Sequence, residues 1–202
     1  MNITEQTMEL TQLEGWVNMN GIALMVDEHK VIKRMLAVVR KACFGVMSGK
    51  EIDYTDFDRM IDFVRSYADK HHHGKEEKIL FNKMVDEIGG PAEKLINYGM
   101  LVEHDLGRLF IRELEEALGK VKAGDQEAKL DVIANAISYT HLLHRHIDKE
   151  DAVVYTFAEK QLKLDTLDRV NNECAAFEEE MKLEDVQNKY LHLVEELEQK
   201  YQ

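Results

Sequence analysis

The chain has 202 residues, a formal net charge of −13, 45% hydrophobic residues, one proline and 11 glycines. That length supports one sizeable domain or two small ones, and an acidic chain without a basic cluster disfavours nucleic acid and anionic membrane surfaces as partners. No apolar run approaches the ~20 residues of a membrane span, Met1 to Gly15 lacks the basic start and apolar centre of a signal peptide, and Cys43 and Cys174 stand alone outside any CxxC pattern as packing residues. A cytoplasmic location is expected.

Residues 1–16 read as a short amphipathic lead segment with Met8, Leu10, Leu13 and Trp16 as its apolar members. A first long helix is predicted over about 18–47. Its apolar face carries Ile22, Met25, Val26, Ile32, Leu36 and Val39, with His29 in the middle. A lone core histidine is ordinarily a hydrogen-bonded structural residue. Ser48-Gly49-Lys50 stops this helix, and Asp53 is placed to cap a second one over about 54–87. Its inner positions are Ile61, Val64, Ala68, His72 and Glu76. Gly89-Gly90-Pro91 ends it and opens a third helix, which runs to about 122 with Met100, Leu101, His104, Ile111 and Leu114 on one face.

After Ala123-Gly124-Asp125 a fourth helix is predicted over about 126–160. Its inner face reads Tyr139, Leu142, Leu143, His146, Glu150, Val153, Val154 and Phe157. A polar joint near Lys163-Leu164-Asp165 precedes a fifth helix to the end of the chain. That helix has the stripe Phe177, Met181, Val186, Tyr190, Leu193, Val194, Leu197 and Tyr201, a packing surface or the seam of a homodimer. Short breaks make sequential helices neighbours. The expected fold is therefore all-α: an antiparallel up-down four-helix bundle over 17–162, preceded by the lead segment 1–16 and followed by a helical extension over 163–202.

The chemistry concentrates in His71-His72-His73-Gly74-Lys75-Glu76-Glu77. A histidine and a glutamate four apart share one helix face, so His72 pairs with Glu76 or His73 with Glu77. Steps of 4, 8 and 11 back from His72 meet Ala68, Val64 and Ile61; the same steps from His73 meet Asp69, Arg65 and Asp62. A regular helix therefore turns His72 and Glu76 inward and leaves His71, His73 and Glu77 towards solvent or a rim. His146-Ile147-Asp148-Lys149-Glu150 repeats the spacing. His141 and His144 lack a glutamate four residues on and are expected spectators, although His144 with Asp148 forms a weaker pair.

The two halves echo each other. His29 precedes His104 by about 75 residues and His72 precedes His146 by about 74, while Val26-Asp27-Glu28-His29 parallels Leu101-Val102-Glu103-His104. Two hairpins related by a pseudo-two-fold axis would bring His29, His72, Glu76, His104, His146 and Glu150 to one level of the core. An unpaired buried carboxylate costs several kcal/mol, which argues against unrelated buried polar residues. Such a ligand count suits two metal ions bridged by the two glutamates. Nitrogen and oxygen donors without thiolate favour iron, with manganese or zinc as alternatives. Tyr139, two turns before His146 and ~10 Å away along the helix, is expected to pack and find a polar partner rather than to act on a bound ligand.

On Glu28-His29, His72-x-x-x-Glu76-Glu77 with Ile79-Leu80-Phe81, Glu103-His104 and His146-x-x-x-Glu150, the chain resembles the hemerythrin-like (HHE cation-binding) family over about 20–160. The resemblance implies a four-helix bundle around a non-haem di-iron site with ligands at those six positions, two iron ions being the expected cofactor. Oxygen-carrying hemerythrins have a further histidine where this chain has Arg108, and an aspartate at the place of Asp151, whereas Glu150 here matches the Glu76 pattern. The resemblance thus points to the members with four histidines and two glutamates. They include proteins of nitric oxide stress and iron–sulfur repair, which usually carry an N-terminal cysteine absent from residues 1–16. The expected function is to bind or sense a small diatomic ligand, O2 or NO. The alternatives are a di-iron enzyme of oxidative or nitrosative stress defence, reducing peroxide or NO or repairing iron–sulfur centres, and an interaction protein with a structural metal.

Overall fold

The computed structural model describes residues 19–202, so the lead segment over 1–16 lies outside the described residues. Helix α1 spans Gly21–Met47; the Asn20 side chain caps it by accepting from Ala23 N–H. It ends at Ser48, with Gly49 at φ +91°, a conformation glycine adopts without steric cost. Helix α2 covers 54–88, capped by Asp53, which accepts from Asp56 N–H at 3.2 Å. Helix α3 covers 90–122, α4 covers 129–161, and Gly89 and Gly124 turn the chain between them at φ +74° and +105°. Glycine and proline thus punctuate the bundle where the sequence predicts, and α3 packs along α4 as α4 packs along α1. Among the described residues there is no strand, and no helix is long and apolar enough to cross a membrane.

The extension differs from the expected single helix. It is a hairpin of α5, Leu164–Lys182, and α6, Val186–Lys200. The break falls at Asp185, held at φ 48° and ψ 38°. Aspartate tolerates this left-handed region better than most residues, and no glycine or proline marks it. Val186, Tyr190, Val194 and Leu197 are buried within the chain, and Tyr190 meets Phe63 edge-on at 5.7 Å. Burial in this core accounts for these four positions of the stripe. At the other end, the close packing of α1 against α5 needs Gly21: a Cβ there would sit 2.8 Å from Cys174 Sγ. Cys43 and Cys174 are free and buried, as packing residues should be.

Three of the four bundle helices are not uniform. Residues Val64–His73 and Glu76–Leu80 in α2, Ile96–Met100 in α3 and Glu150–Val154 in α4 are π-helical, with i→i+5 hydrogen bonding. Each π turn takes more residues than an α turn and so shifts the phase of every side chain beyond it. Two apolar clusters flank this level of the bundle. One is built around Ile32, Leu36, Phe57, Ile61 and Leu114, the other around Met25, Leu80, Met84, Ile96 and Val154. The polar centre lies between them. One position on the predicted face of α4 is turned out: Val153 is 52% exposed.

Candidate metal centre

All six residues singled out from the sequence, His29, His72, Glu76, His104, His146 and Glu150, are buried. They fall into two groups. Donor atoms of His29, His72, Glu76 and Glu150 lie within 4.8 Å of one another, and so do those of His73, Glu76, His104 and His146. Glu76 is common to both. Glu150 also spans them: its Oε1 lies 2.9 Å from His146 Nε2 and its Oε2 lies 3.3 Å from His29 Nε2. Each group could hold a cation.

The expectation that His71 and His73 face solvent is wrong. They are 0% and 6% exposed. The register test assumed an α-helix, whereas Val64–His73 is π-helical, so neighbouring positions there share the inner face. His73 joins the second group, its ring stacked on His104 at 3.8 Å. His71 belongs to a separate buried cluster described below. Glu77 remains half-buried, and His141 and His144 are exposed and lie in neither group.

The tautomers follow from the surrounding carboxylates. Nδ1–H of His29 donates to Asp151 Oδ1 at 2.7 Å, that of His72 to Glu28 Oε2 at 2.8 Å, and that of His73 to Asp69 Oδ1 at 3.3 Å. His104 donates likewise to Glu77 Oε1 at 2.7 Å and His146 to Glu103 Oε2 at 2.8 Å. A carboxylate on Nδ1 fixes the ring and leaves Nε2 as the metal-binding atom. The pseudo-two-fold relation extends to these partners, since Glu28 serves His72 as Glu103 serves His146, and Asp151 serves His29 as Glu77 serves His104. His73 breaks the symmetry, because Ile147 occupies the equivalent place in α4. Arg108, where an oxygen carrier has a histidine, is no donor to the centre. Its Nη2 donates to Asp69 Oδ1 at 2.7 Å and Glu77 Oε1 at 2.6 Å, bracing the carboxylates that hold His73 and His104.

Burial, donor chemistry and electrostatics all fit a cation here. Four buried atoms, His72 Nε2, Glu76 Oε2 and both oxygens of Glu150, have no hydrogen-bond partner. Such orphaned groups are costly unless something else satisfies them. The Nε2 atoms of His104 and His146 face each other at 2.9 Å, so their lone pairs need a proton or a metal between them. Burial opposes charge on His146, but Glu150 and Glu103 outweigh it and push its pKa up to about 10. Burial and the nearby His29 charge lower His72 to about 4. Burial and the Glu150 charge push Glu76 well above the usual carboxylate range. Histidine nitrogen and carboxylate oxygen without thiolate is a donor set for iron, manganese or zinc.

Two tyrosines approach the centre. Tyr155, which the sequence reading passed over, donates to Glu76 Oε1 at 2.6 Å. Tyr139 lines a cavity of about 100 Å³ beside His73 and His104, and its buried hydroxyl meets no protein hydrogen-bond partner. Tyr139→Phe should therefore leave metal content unchanged and raise stability by roughly 1 kcal/mol, because it removes an unsatisfied hydroxyl and keeps the ring. Urea titration checks this; a fall of similar size would mean that the hydroxyl has a partner in solution.

The model of the Hemerythrin HHE cation binding domain matches residues 20–158, and the chain belongs to that family. No curated protein and no solved structure gave a match.

Proposed function

We propose that the chain is a non-haem di-iron protein that binds or senses a small diatomic ligand, O2 or NO. The observation that carries this reading is the pair of donor groups sharing Glu76 and spanned by Glu150, with each histidine's Nδ1 held by a carboxylate. His73, His104 and His146 would hold one ion, His29 and His72 the other, with Glu76 and Glu150 between them. When bound, such a pair supplies electrons and coordination positions for a small exogenous ligand. The chain's own part is to orient the imidazoles, to exclude water through the apolar clusters on either side, and to keep a cavity of about 100 Å³ against His73 and His104.

The test is spectroscopic. Iron-loaded, reduced protein is exposed to O2 and, separately, to NO, and the ligand is then removed. A change in the visible spectrum that reverses on removal is the expected result. Continuous consumption of ligand or of peroxide would assign the chain to the di-iron enzymes instead, and no response would leave the metal a structural role.

A further inference from the structure

The two donor groups are unequal. Beyond the shared Glu76 and Glu150, one side has three imidazoles, from His73, His104 and His146, and the other has only His29 and His72. Beside the poorer side lies the hydroxyl of Tyr155, 2% exposed, 2.6 Å from Glu76 Oε1 and 3.5 Å from His29 Nε2. Its ring stacks on His29 at 5.6 Å, with the planes 8° apart. Donor atoms that share one metal at about 2.1 Å each sit about 3 Å apart when they are neighbours around it. The Tyr155 oxygen is therefore spaced from two other donors of this group as a further donor would be. Phenolate is a hard oxygen donor that suits trivalent iron.

We propose that Tyr155 is a direct ligand of the metal held by His29 and His72, a fifth protein donor on the poorer side that leaves one position of a six-coordinate ion for an exogenous ligand. This rests on the paired-metal reading above. On binding Fe(III), the O–H bond of Tyr155 breaks, an iron–oxygen bond forms, and the proton passes to solvent; no electron is transferred. The hydrogen bond that Glu76 Oε1 accepts from the phenol is given up in the same step.

Iron–phenolate ligation has its own signature: a visible charge-transfer band whose excitation enhances tyrosine ring vibrations in the resonance Raman spectrum. Wild-type protein loaded with Fe(III) should show both, and growth on ring-deuterated tyrosine should shift the vibrations. Tyr155→Phe should lose the band entirely while retaining two irons per chain, and Tyr139→Phe should keep it. Two irons per chain without tyrosine vibrations in the wild type would overturn ligation by Tyr155 and leave the paired centre standing. A band that survives in Tyr155→Phe would overturn it equally. A wild-type chain that takes up no iron would overturn the paired-metal reading and the ligation together.

Discussion

His73→Ala is expected to lose at least one of two metal ions, with binding weakened more than about 100-fold. Loss of an outer partner of a metal-bound histidine already costs about 10–100-fold, and loss of the donor itself should exceed that. His73 is aimed into the centre by Asp69, which accepts from its Nδ1, and by stacking on His104. Arg108 fixes Asp69 in turn. His72→Ala and His146→Ala should lose metal as well, since each ring occupies one of the two groups. His71→Gln is the control, because His71 lies in neither. Metal analysis after dialysis against a weak chelator reads all four variants. Full retention in His73→Ala, with the His72 variant depleted, would return the centre to the smaller set read from the sequence.

The second large effect concerns Lys75, which is wholly buried. Its ammonium donates to Glu28 Oε1 and to Glu178 Oε1, and lies 2.9 Å from His71 Nε2. Gln187, from α6, donates to Glu28 Oε1 at 2.8 Å. This cluster ties the C-terminal hairpin to the bundle, and through Glu28 it reaches His72. Lys75→Met removes the cation and leaves two buried carboxylates facing each other. The expected loss is about 3–5 kcal/mol, as for other buried pairs broken on one side. A lower urea midpoint with an unchanged m-value would report it; an unchanged midpoint would mean that the carboxylates are neutral or hydrated in solution. The pH dependence has a defined sign. Burial alone would raise Glu28, but hydrogen bonds from His71 and His72 and the Lys75 charge hold it well below its ordinary 4.5. Its contribution is therefore full above pH about 4.5 and is lost as the pH falls towards its folded-state value. Metal-free protein should weaken over that acid range, and Lys75→Met should weaken less steeply.

Much of the scaffold is legible in the sequence because its signals are local. Asn20 and Asp53 cap their helices, Gly49, Gly89 and Gly124 end theirs, and His29 and His104 sit mid-face on regular α-helix, where a 3.6-residue period holds. The misreadings fall where that period fails. His73 is hidden by the π-helical run Val64–His73, and only the unusual triple histidine hinted at it. Tyr155 follows Glu150 by five residues, which an α-helix would place well off the metal face; the π turn Glu150–Val154 brings it round. The echo of Glu28-His29 in Glu103-His104 was visible, but the carboxylates reach across to another helix rather than serve their own neighbour. Lys75 gave no signal at all, since its partner Glu178 lies 103 residues away. Asp185 breaks the final helix by adopting a conformation rather than by being a breaker residue.

The central claim is that one chain holds a pair of ions, and stoichiometry tests it most directly. The wild-type protein, reconstituted anaerobically with Fe(II) and freed of unbound metal, is analysed for iron and protein in the same sample. Two groups sharing Glu76 predict about two irons per chain. A reproducible value near one, or none, would contradict the paired centre.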